Sequence, residues 1–183
     1  GRGLIHSEIP QQENGLMRGF QLWLNLPAKD KLIEPWYKDF QQPELPSYGS
    51  EAEGLKVTVI AGQSHGVRGA VEREHTEPLY LDVMLAAGKR FEAAIPARHN
   101  AFIVVYDGRV EVAGTEVAAT QLALLNNDPE ADGVSLTASE DSRVLIIAGK
   151  PLNEPIFQHG PFVMNTREEI IQAFQDYQAG LFA

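Results

Sequence analysis

The sequence has no cysteine, so disulfides, thiolate zinc sites and cysteine nucleophiles are all excluded. It also has no cluster of lysine or arginine. Fifteen basic residues face 25 acidic ones, and the formal net charge is −10. A surface of that sign repels phosphate backbones, which excludes direct nucleic-acid binding through a basic patch. No apolar run reaches the roughly 18 residues that a membrane span needs, and no signal-peptide pattern is visible. The expectation is a cytoplasmic protein without membrane contact. The chain opens Gly1-Arg2-Gly3-Leu4-Ile5-His6, without Met or a polar leader, and reads as a stretch from the middle of a longer protein.

What is present is β structure. Hydrophobic residues make up 44% of 183, enough for a packed core, and their dominant period is two. Gly19–Leu26 alternates, with Phe20, Leu22, Leu24 and Leu26 on one face. Leu55–Ala61 and Leu79–Ala86 predict two further strands. Ala101–Tyr106 and Arg109–Ala113 flank Asp107-Gly108, a dipeptide that suits a two-residue hairpin turn. Gly114 ends the returning strand. Val117, Leu122–Leu125, Val134–Leu136 and Val144–Ala148 add short strands at the spacing of a sandwich or barrel.

Two stretches break this pattern. Residues 27–54 carry Pro27, Pro35, Pro43 and Pro46 among charged and amide side chains, and read as a polar linker. At the C-terminus the period changes to that of a helix. Thr166 and Glu169 form a capping box, Ile170, Ile171, Phe174 and Tyr177 recur at helical spacing, and Gly180 supplies the stop.

His6 and Glu8 are the candidate chemical residues. On a strand, side chains at i and i+2 share a face. One imidazole nitrogen and one carboxylate then converge on a point that suits Fe(II), Mn(II), Ni(II) or Zn(II). Spacing alone favours a surface polar pair over a ligand pair. Ser7, between them, should face away. His65 and His75 read as solvated or surface residues, His99 as structural, and His159 as a packing or capping residue. Trp23 and Trp36 read as core or as pocket lining.

Longer runs carry more information. Gly1-Arg2-Gly3-Leu4-Ile5-His6-Ser7-Glu8 resembles the second metal motif of pirins, and Gln21-Leu22-Trp23-Leu24-Asn25-Leu26-Pro27 resembles the strand that follows it. Glu154-Pro155-Ile156 and His159-Gly160-Pro161-Phe162-Val163-Met164-Asn165-Thr166 resemble the family's C-terminal signature. The resemblance implies an all-β fold of tandem cupin barrels, the first incomplete, with a C-terminal helix. The expected divisions are residues 1–48 for the end of the first barrel and a linker, 49–160 for the second barrel, and 161–183 for the closing segment. An incomplete barrel exposes strand edges, so residues 1–26 should join upstream strands or another chain.

The resemblance also implies chemistry. His6 and Glu8 match two of four iron ligands, and a His-x-His pair supplying the others is expected upstream of Gly1. Fe(II) is the implied cofactor, with other divalent metals as alternatives, and the second barrel is expected to be metal-free. Glu8 would serve as both ligand and catalytic base. The implied activity is quercetin 2,3-dioxygenase-type oxidation of a flavonol or similar enol. The competing reading is an iron-dependent redox sensor acting through protein partners, and a third is an inert product lacking half the metal site.

Overall fold

The computed structural model describes residues 1–9 and 13–182. The chain divides into two compact units. One is Asp39–Pro151, and the other combines Gly1–Lys38 with the chain from Leu152 onward.

The Asp39–Pro151 unit is two antiparallel sheets around an aliphatic core. Its strands are β1 Ser47–Ser50, β2 Leu55–Ala61, β3 Gln63–Ser64, β4 Val67–Arg68, β5 Leu79–Leu85, β6 Arg90–Ala94, β7 Asn100–Asp107, β8 Arg109–Val112, β9 Thr115–Ala118, β10 Gln121–Leu124, β11 Gly133–Ala138 and β12 Ser142–Gly149. One main sheet runs β1-β2-β5-β12-β7-β10 and the other β6-β11-β8-β9, while β3 and β4 pair only with each other. β5 shows why the sequence folds this way: Leu79, Leu81, Val83 and Leu85 point inward while Tyr80, Asp82 and Met84 point outward. Their inward neighbours include Val57, Val59, Ile103, Val105, Val144 and Ile146 from the same sheet. Phe91, Val110, Val112 and Leu136 come from the other sheet. β12 is apolar on both faces, since Leu145 and Ile147 are also buried. The interior is filled by side chains, each contributing about 1.5–3 kcal/mol by leaving water.

Most of the anticipated strands are present, but the turn chemistry differs. Asp107-Gly108 does not close a hairpin. β7 pairs with β12 and β10, whereas β8 pairs with β11 and β9, so the chain steps there from one sheet to the other. Only Gly108 has positive φ, and a side chain on it would strike the Asp141 carbonyl. The two-residue hairpin lies one strand later. Ala113 (φ 50°) and Gly114 (φ 76°) join β8 to β9, with Val112 opposite Thr115. The proline-rich stretch read as linker also contributes β1, which pairs along β2.

The other unit contains β13 Phe157–His159 and β14 Phe162–Met164, which pair with each other, and helix α1 Arg167–Gln178. The anticipated capping box is present: Glu169 N–H donates to Thr166 Oγ1, and the Glu169 carboxylate accepts from Thr166 N–H. Gly180 follows with φ 69°. Phe162 meets Phe174, Tyr177 and Phe182 edge-on, tying the hairpin to the helix and the chain end.

Gly19–Leu26 forms no strand. It has no ladder partner among the described residues, and Phe20, Leu22 and Leu24 are exposed rather than turned into a core. Alternation states which face would be buried; it does not supply the neighbouring strand. Trp23 and Trp36 are likewise exposed, not core. Among the described residues, no helix is long and apolar enough to cross a membrane.

Candidate metal centre

The segment bearing His6 is held at its start by backbone and ring contacts. Arg2 N–H donates to the Ile33 carbonyl at 2.8 Å, and the Arg2 guanidinium pairs with Glu34. Gly3 has φ 128° and lies against the Phe182 ring; a Cβ there would be 2.6 Å from Phe182 Cγ. Glycine is required on both counts, conformation and space.

Residues 1–9 form no strand, so the expected strand face is absent, yet the two candidate side chains meet. His6 Nε2 lies 3.4 Å from Glu8 Oε1. Two neighbouring ligands bound at about 2.0–2.2 Å sit about 3 Å apart, so this separation fits a shared divalent cation. A borderline nitrogen and a hard carboxylate oxygen suit Fe(II), Mn(II), Ni(II) or Zn(II). Both side chains are more than half exposed, which leaves the remaining directions open to other donors. Among the described residues, no group of three or more His, Cys, Asp or Glu side chains could hold a metal ion. A third residue touches the pair: Gln21 Nε2 donates to Glu8, at 3.2 Å from Oε1 and 3.5 Å from Oε2.

The sequence motifs at the two ends of the chain are joined by a polar network around Lys31, which is only 6% exposed. Its ammonium donates to Asn25 Oδ1 at 2.7 Å and to the Val163 carbonyl at 3.1 Å. Burial pushes its pKa down, while Glu154 and Glu169 pull it back up. Glu154 Oε2 accepts from Ala28 N–H and from the Asn165 amide, and Glu169 Oε2 accepts from Asn165 N–H. Lys31 had no sequence signal, because a buried lysine is identified by its oxygen partners and these come from remote residues.

The remaining histidines lie elsewhere. His65 is exposed between β3 and β4, but its ring is pinned: Nδ1 lies 2.8 Å from the Tyr48 hydroxyl and 3.1 Å from Ser64 Oγ. It is thus less free than a solvated loop residue. His99 is buried, with Nε2 3.4 Å from Glu77, which also accepts from Lys150. The Lys150 hydrogen bond is the main cause of the lowered Glu77 pKa. His159 stacks edge-on against Phe174, as a packing residue does.

Comparison with known proteins agrees with the motifs. Residues 80–183 match the pirin C-terminal cupin domain. A Pseudomonas aeruginosa protein provisionally named as a quercetin 2,3-dioxygenase is 48% identical over 99% of this chain and 65% of its own length. A pirin-like protein of Caulobacter vibrioides is 44% identical over the whole chain, again across 65% of its own length. The chain therefore spans just under two thirds of these relatives. The crystal structure of a quercetin 2,3-dioxygenase from Acinetobacter baumannii superposes with a TM-score of 0.81 at 33% identity, over 88% of this chain and 55% of that one. With its all-β cupin fold, its C-terminal helix and relatives of this similarity along its length, the chain belongs to the pirin family.

Proposed function

We propose that this chain carries part of an iron(II) site for quercetin 2,3-dioxygenase-type oxidation of a flavonol or similar enol. The observation that supports it is the approach of His6 Nε2 and Glu8 Oε1 to 3.4 Å within an exposed segment. In this reading, two further histidines from a His-x-His pair outside these 183 residues complete the ligand set.

Bound iron(II) would supply a Lewis acid for the substrate's enolic oxygen and a path for electrons to O₂. The chain's own groups do the rest. His6 would present an imidazole nitrogen to the ion. The Glu8 carboxylate accepts the proton of the flavonol 3-hydroxyl: that O–H bond breaks, a carboxyl O–H forms, and the electron pair stays on the flavonol oxygen. The central ring then takes up both oxygen atoms of O₂ and releases carbon monoxide.

The test is oxygen uptake and carbon monoxide release with quercetin, using the natural full-length protein loaded with Fe(II). Glu8→Gln, which removes the base while keeping the shape, should lower turnover by about 10²–10⁴-fold. Full turnover in both His6→Ala and Glu8→Gln removes these residues from the site, and absence of turnover in the iron-loaded wild type sinks the dioxygenase reading. A second reading, an iron-dependent redox sensor acting through protein partners, draws on exposed apolar side chains in the two segments that carry the pair and Gln21: Ile5 is 64% exposed and Trp23 is 60% exposed. Metal retention without quercetin turnover would favour it.

A further inference from the structure

We propose that Gln21 is the positioning residue for Glu8: its side-chain amide holds the carboxylate in the orientation that faces His6. The assignment rests on the metal-site reading above and extends it to a residue outside the His-x-Glu pair. Gln21 opens the Gln21-Leu22-Trp23 motif, to which no task was assigned from the sequence.

The geometry is specific. Glu8 Oε1 is shared, 3.4 Å from His6 Nε2 and 3.2 Å from Gln21 Nε2, while the same amide nitrogen lies 3.5 Å from Oε2. One amide nitrogen therefore lies within reach of both oxygens and limits how far the carboxylate can swing away from it. An exposed glutamate is otherwise free to sample rotamers, and ordering such a side chain costs conformational entropy. A donor already in place offsets that cost before any cation arrives. A neutral amide can do this without cancelling the carboxylate's charge. Lysine or arginine here would orient Glu8 equally well but compete with the cation for it. Carboxylates that ligate metals are commonly held by hydrogen bonds of this kind.

Two measurements test it. In the metal-free protein, the Gln21 side-chain amide resonances should move when Glu8 is changed to Ala. If they do not move, the contact is absent and the proposal is overturned, whatever the metal does. In the natural full-length protein, Co(II) binding is followed by titration and by its visible ligand-field spectrum in the wild type, Gln21→Met and His6→Ala. Gln21→Met should weaken Co(II) binding 10–100-fold and alter the spectrum. An unchanged Kd and spectrum in Gln21→Met, with binding lost in His6→Ala, overturns the role of Gln21 and leaves the metal site standing. Binding unaffected by His6→Ala removes the metal site instead, and Gln21 is then judged by the amide resonances alone.

Discussion

The Phe182 ring fills the space where a side chain on Gly3 would sit, so the second-to-last residue of the chain packs against the third. The contact lies three positions before His6 and fixes how that segment leaves the aromatic cluster of Phe162, Tyr177 and Phe182.

Gly3→Ala should therefore destabilise its unit by about 1–3 kcal/mol, through a backbone conformation alanine avoids and a collision with the ring. Phe182→Ala removes the colliding ring atoms but not the backbone cost. A double-mutant cycle from urea unfolding should then give a coupling of at least about 0.5 kcal/mol. Strict additivity would mean that the ring does not constrain Gly3.

A second prediction concerns the β8–β9 hairpin. Ala113 sits at φ 50° in a turn whose two central residues both need positive φ. An L side chain without a polar group holds that conformation at a cost of roughly 1 kcal/mol. Ala113→Asn, giving the Asn-Gly pair this turn favours, should raise stability by several tenths to about 1 kcal/mol in urea unfolding. A loss of stability would contradict the turn assignment.

The same turn shows where reading the sequence stopped. Asp107-Gly108 has the favoured hairpin composition, yet its flanking strands belong to different sheets. Ala113-Gly114 lacks that composition and is the hairpin. Composition reports which residues tolerate positive φ, not which strands pair afterwards. Strands such as β5 were legible because four large aliphatic side chains alternate. β6 was not, because its inward side chains are only Phe91 and Ala93 between Arg90, Glu92 and Ala94. At the site, His6 and Glu8 were legible from the motif around them. Gln21 and Lys31 were not, because each acts through contacts to residues that sequence spacing does not relate: Glu8 for one, Asn25 and Val163 for the other.

Tyr106 makes a prediction about alkaline pH. Its hydroxyl donates to Asp82 Oδ1 at 2.7 Å. Burial first, and then Asp82, push its pKa up to about 12, against the opposing pull of Arg143. A group whose folded pKa is raised contributes stability that is fully present below the unfolded value of about 10 and is lost as pH climbs through 12. Unfolding free energy should thus fall between pH 10 and 12, and fall less in Tyr106→Phe. Absorbance of tyrosinate at 295 nm should show a late-titrating component, to which Tyr48 and Tyr80 also contribute, that shrinks by one tyrosine at its most alkaline end in that variant. Parallel pH dependence in the two proteins would remove Tyr106 as the cause.

The Asp39–Pro151 unit should fold without the rest of the chain. Its two sheets bury one apolar core drawn from β2, β5, β6, β7, β8, β9, β11 and β12, and every strand of both sheets lies between Ser47 and Gly149. That cluster is built from apolar side chains of both sheets, and the second barrel is expected to need no metal. A protein cut to residues 39–151 should therefore unfold cooperatively in urea, with dispersed amide resonances and no change on adding Fe(II) or a chelator. Leu136→Ala, at a side chain 1% exposed, should cost it about 2–5 kcal/mol. A non-cooperative transition in the cut protein would mean that the two sheets need residues outside 39–151 to hold their packing. A stability that rises with iron would mean that a cation site lies inside this unit and that His6 and Glu8 are not the chain's only candidate ligands.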